Sequence, residues 1–200
     1  MNGTDLNFYG ITIPQILAFL LTIAASYLSA RWGSAESRKQ FDRKTEDDER
    51  AAAAELIPML MKFALDCDKK KNNLSLFMST DGQDGVDESI RGVAFNPSIH
   101  ASAARLGSKI TERAIKLEMT QTRAEEYVDD VSGVVDRNDL DQQILSFLAL
   151  LSLRARFLAD LAAQAVGIAM RHPQKDMDRL LKEAMKHSDE IDSGDENSWY

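Results

Sequence analysis

The sequence predicts an all-α protein, built as a single N-terminal transmembrane helix followed by an elongated antiparallel helical bundle. Three observations point there. No charged residue occurs between Asp5 and Arg31. Beyond that run, apolar residues recur at steps of three and four, the spacing of one helix face. β-branched runs with period two are absent, and four prolines and ten glycines in 200 residues leave little chain for long loops.

The most apolar part of the N-terminal run is Ile11 to Ala30, ITIPQILAFLLTIAASYLSA. Twenty helical residues rise about 30 Å, the thickness of a bilayer's hydrocarbon core. Phe8 and Tyr9 stand at one end and Trp32 at the other, where amphipathic rings sit at a membrane interface. Pro14 falls in the first turn, where its missing N–H matters least. A cleaved signal peptide is a rival reading, with Ala24 and Ser26 as its small-residue exit, but the start, MNGTDLN, lacks the basic residues such peptides carry. A buried core helix is a second rival. It would show a fuller polar face than Thr, Ser and Gln provide.

Orientation follows from the flanks. Arg31, Arg38, Lys39, Arg43 and Lys44 follow the run closely, and the other flank has no basic residue. The positive-inside bias then places the N-terminus outside and the rest in the cytoplasm, at the plasma (inner) membrane. The basic residues could also meet anionic headgroups, diluted by Glu36 and Asp42. Ala18, Thr22, Ser26 and Ala30 recur every four residues. They form a small-residue ridge of the type that lets two membrane helices approach, and so suggest a homo-oligomer.

The expected organisation is a short extracytoplasmic stretch 1–10, the span 11–31, a basic juxtamembrane stalk 32–45, a helical domain 46–187 and an acidic, disordered tail 188–200. Residues 1–45 hold five basic and three acidic residues, a net of +2, whereas residues 46–200 hold 19 and 29, a net of −10. A domain so acidic is a poor partner for nucleic acid, which requires a basic face.

Thr45, followed by Glu46, Asp47, Asp48 and Glu49, looks like a helix start, with a hydroxyl cap and acids at the positive end of the dipole. The stripe Ala52, Leu56, Met59, Leu60, Phe63 and Cys67 continues it to about residue 71, with Pro58 expected to kink or split it. Lys69, Lys70 and Lys71 suit its C-terminus. Residues 73–96 read as the least regular stretch. The segment TDGQDGVDES invites a calcium reading, but with either glycine at the turn position the ligand spacing fails, so an EF-hand is excluded.

Asn96-Pro97 is an N-cap followed by proline at the first helical position. The second soluble helix carries Ile99, Ala103, Leu106, Ile110, Leu117, Ala124, Val128 and Val131, with Gly107-Ser108 able to break it in two. Asp136 and Asp139 open a third. Its stripe of Leu140, Ile144, Phe147, Leu151, Leu158, Ala162, Ala165 and Ala169 marks the core helix of the bundle. Its uncharged run Gln142–Leu153 is 12 residues, too short to span. Arg154 falls near that stripe and calls for a carboxylate partner. Asp160 belongs to the polar face, beside Arg156 and Gln164. His172-Pro173 should end the helix and start a fourth, with Met177, Leu181, Ala184 and Met185 as its apolar face.

No catalytic constellation emerges. His100, His172 and His187 are not paired at helical spacing, Glu-x-x-His is absent, and no phosphate loop, zinc-protease motif or nucleophile elbow occurs. Cys67, the single cysteine, can form no internal disulfide, and Asp66 and Asp68 beside it oppose thiolate formation. No cofactor or metal is implied. The acidic tail ends in Trp199 and Tyr200, a pair that could dock on a protein partner or at a membrane interface. The expected role is a membrane-anchored, non-enzymatic interaction or scaffold protein whose partners are the lipid bilayer and an unidentified protein. An oligomer that perturbs the membrane is the alternative.

Overall fold

A computed structural model describes residues 13–81, 84, 90–170, 180–182 and 184. The chain is all-helical, with no strand among the described residues, and its larger part is a helical bundle. It divides into two compact units, residues 1–47 and 48–200. The boundary falls within the first helix, α1 (Ile13–Ser79).

In the first unit α1 is helical from Ile13 onward, and every residue from Leu21 to Asp47 whose side chain is described is exposed. The expected start of a new helix at Thr45 is not found. Thr45 Oγ1 donates to the Phe41 carbonyl oxygen at 3.0 Å, the back-bond of a hydroxyl residue inside a helix. The acids after it therefore lie mid-helix, and the stalk 32–45 is helical throughout.

The described part of the expected span 11–31 belongs to the 67-residue α1 and is not an element of its own. Among the described residues, no helix is long and apolar enough to cross a membrane.

In the second unit α1 continues through Pro58 without a break. Proline removes the N–H that would reach the Ala54 carbonyl. Ala54 and Pro58 are both exposed, so the unmatched carbonyl faces water and the helix tolerates it. The helix also outruns its expected end at Lys71. Leu74 is fully buried, and Phe77 and Met78 pack on the core, so hydrophobic burial carries the helix two turns further.

A 3-10 turn, η1 (Ile90–Gly92), leads to α2 (Ser98–Arg105). Asn96 Oδ1 accepts the Ser98 N–H at 3.0 Å, so the expected cap forms from two residues before the first residue of the helix, with Pro97 between them. Gly107, at φ +111°, separates α2 from α3 (Ser108–Val131), the break that the glycine suggested. A short turn then reaches α4 (Arg137–Ala165), where Asp136 accepts the Asn138 N–H at 2.9 Å.

Helix α4 is the centre of the unit. Eighteen of its 29 residues are buried, which leaves almost no polar face and explains its continuous apolar sequence. Its end differs from the expected His172. Gly167 takes φ +75°, Ile168 N–H donates to Ala163 O at 2.8 Å, and Gly167 N–H donates to Gln164 O at 3.1 Å. That is a Schellman motif, which satisfies carbonyls at the helix end and stops the helix at Ala165. Of the expected fourth helix, residues 180–182 and 184 are helical. Leu180 and Ala184 join the core and Leu181 packs against it, while Met177 and Met185 lie outside the described residues.

Candidate functional site

Three places on the described surface and interior carry polar or apolar groups in arrangements worth chemical scrutiny. The first is α1 between Leu21 and Lys44. Leu21, Ile23, Tyr27, Trp32 and Phe41 are all at least half exposed, with Trp32 at 76%. Arg31, Arg38, Lys39, Arg43 and Lys44 are exposed beside them. These side chains form an exposed apolar patch bordered by basic residues. Of the small-residue ridge, Thr22 and Ser26 are exposed, and Ser26 Oγ donates to the Thr22 carbonyl at 2.8 Å. The side chains of Ala18 and Ala30 lie outside those described, as do Phe8 and Tyr9 at one end of the chain and Trp199 and Tyr200 at the other.

The second place is a cleft of about 310 Å³ between α1 and the segment that leads into α2. Buried Phe63 and Ile99 form its floor with half-buried Met59 and Phe95, and exposed Lys62, Asp66 and Asn96 form its rim. Phe63 and Phe95 meet edge to face, with centroids 5.8 Å apart and planes at 77°. Asn96 Nδ2 donates to Met59 Sδ at 3.2 Å. His100 lies against Phe95 at 5.3 Å, and its Nε2 is 2.8 Å from Glu118 Oε2, so the ring bridges α2 and α3. The cleft offers an apolar seat with one cation, Lys62, and one carboxylate, Asp66, at its rim.

The third is a polar layer inside the bundle. Arg154, 5% exposed, donates from Nη1 to the Thr120 hydroxyl. The Thr120 hydroxyl of α3 is thus one partner of Arg154; the sequence leads us to expect a carboxylate beside it. Arg156 donates from Nη2 to Asp68 Oδ2 at 2.5 Å and from Nε to Ser152 Oγ at 3.4 Å. Gln121 Nε2 donates to the Val93 carbonyl at 2.7 Å and to Glu125 at 2.9 Å. On the other face of α1, Glu55 accepts from Ser102 Oγ at 3.2 Å and Arg105 Nη1 at 3.1 Å. Arg154–Thr120 joins α4 to α3 and Asp68–Arg156 joins α4 to α1 in the interior, while Glu55 ties α1 to α2 at a more exposed site.

Cys67 is fully buried, and burial pushes its thiol well above the ordinary range, with the charges of Asp68 and Asp66 adding to the shift. It is a packing residue. Among the described residues, no group of three or more His, Cys, Asp or Glu side chains could hold a metal ion.

The ion pair Asp68–Arg156 and the cleft floor escaped the sequence reading, because both join residues far apart in the chain. Gly167 was legible as a helix stop and was passed over for the proline further on.

The fold and its sites define an all-α helical-bundle protein with an exposed apolar and basic N-terminal helix. No family model, no curated protein and no solved structure matches the chain.

Proposed function

We propose that this chain is a non-enzymatic interaction module held at a membrane by the N-terminal part of α1. The observation that carries the reading is the exposed large apolar side chains Leu21, Ile23 and Tyr27 on a stretch uncharged up to Arg31, followed by Trp32 and by five basic residues between Arg31 and Lys44. In this reading the run Ile11–Ala30 enters the bilayer with the N-terminus outside, and the antiparallel bundle stands in the cytoplasm. The bundle has a packed core and a shallow cleft with an apolar floor, which fits a docking role for a protein partner.

Fractionation of cells that make the full chain tests the tether. The expected result is a protein that pellets with membranes, resists extraction by high salt and alkaline carbonate, and is released by detergent. Recovery of the intact chain in the supernatant without detergent would end the reading.

A further inference from the structure

The basic residues that follow the apolar run do not ring the helix evenly. At about 100° per residue, Arg38, Arg31, Lys39, Trp32 and Arg43 fall within an arc of about 140° on α1. All five are exposed. Over residues 31–43 that arc holds one acid, Asp42, and Glu36 lies just past its edge; Glu46 and Glu49 enter it only further along the helix. Lys44 and Phe41 point elsewhere. Four cations and an indole ring on one face are what an anionic lipid surface recognises. On the unbroken α1, Arg31 and the Trp32 indole stand at the boundary between headgroups and acyl chains, while Arg38, Lys39 and Arg43, about 12–20 Å beyond Ala30 along the helix, act on the anionic surface through their field.

From this face we infer that residues 31–43 of α1 select anionic phospholipids, and that Trp32 marks the depth of the interface. The inference rests on the tethering reading and adds the lipid class that the tether prefers. Its origin is charge complementarity, so salt weakens it while leaving apolar anchorage intact.

Trp32 can report the lipid beside it. The sequence holds two tryptophans, and Trp199→Phe leaves Trp32 as the single indole. The full chain carrying that substitution is reconstituted into vesicles of phosphatidylcholine and phosphatidylglycerol at about four to one. One or the other lipid carries bromine on its acyl chains to quench indole fluorescence. The expected result is quenching by brominated phosphatidylglycerol roughly threefold above its mole fraction, falling to the mole fraction in high salt. The combined substitution Arg31→Gln, Arg38→Gln, Lys39→Gln and Arg43→Gln should abolish the enrichment while brominated phosphatidylcholine still quenches. Quenching in proportion to mole fraction in the Trp199→Phe chain overturns the lipid preference and leaves the tether standing. Quenching by neither lipid overturns both.

Discussion

Asp68 and Arg156 stand 88 residues apart in the chain and 2.5 Å apart in the fold, joining α1 to α4 through Oδ2 and Nη2. Their side chains are 22% and 13% exposed, so the pair is largely withdrawn from water. Asp68 Oδ1 is buried and makes no hydrogen bond. The carboxylate is therefore held by one side, and Arg156 depends on it.

Replacement of Asp68 by Ala strands the guanidinium in a half-dry site. The expected cost is about 2–3 kcal/mol, less than a fully buried pair would show because solvent reaches both groups. Asp68→Leu combined with Arg156→Met should cost less than Asp68→Ala alone, since no charge is left behind. Urea unfolding of the four species of a double-mutant cycle measures the coupling. A value under about 0.5 kcal/mol would show that water already screens the pair.

Leu151 is fully buried on α4 and Ile115 is 45% exposed on α3. Leu151→Ala should lower stability by about 3 kcal/mol, through lost transfer energy and the cavity left in the core. Ile115→Ala should change it by less than about 1 kcal/mol. Similar costs at the two positions, read by denaturant midpoint, would contradict the placement of α4 at the centre.

Three glycines separate backbone strain from crowding. Gly167 has φ +75° and Gly107 has φ +111°, and a Cβ at either would meet open space. Gly167→Ala should cost about 1 kcal/mol and Gly107→Ala about 1–3 kcal/mol, both from conformation alone. Gly133 also faces open space but is not in the left-handed region, so Gly133→Ala should be neutral or slightly stabilising. Thermal midpoints of the three variants give the order.

The Cys67 thiol is held above its ordinary range by burial first and by Asp68 and Asp66 next. In the unfolded chain it ionises near pH 8.5. The folded thiol stays protonated, so its contribution to stability is whole below that pH and declines as pH rises above it. The slope approaches about 1.4 kcal/mol per pH unit. The stability difference between the natural chain and Cys67→Ala should therefore shrink between pH 9 and pH 10.5. A thiol reagent at pH 8 should label Cys67 only in urea. Fast labelling of the native protein would refute its burial.

The all-helical class, the cap at Asp136, the break at Gly107 and the central place of α4 could be read along the chain. Each depends on neighbours three or four residues away: a side chain that reaches the second N–H after it, a glycine that admits a positive φ, a stripe that repeats every turn. The helix limits were harder to read. Thr45 followed by four acids had every local mark of a start, yet it lies inside α1, because the chain before it is also helical and a cap needs a non-helical residue. Lys69 to Lys71 looked like an end, yet Leu74 finds a place in the core and draws the helix on.

By itself the sequence determined the all-helical class, most of the apolar stripes that pack in the second unit, and how charge divides between the two parts of the chain, since these follow from residue order and from periods of a few residues. Only the tertiary structure decided where α1 stops, that Arg156 answers to Asp68, that Arg154 meets Thr120, and that Phe63, Phe95 and Ile99 share a cleft. Those relations join residues tens of positions apart. They arise from packing surfaces that come to exist only after the helices have been brought against one another, so no local pattern can encode them.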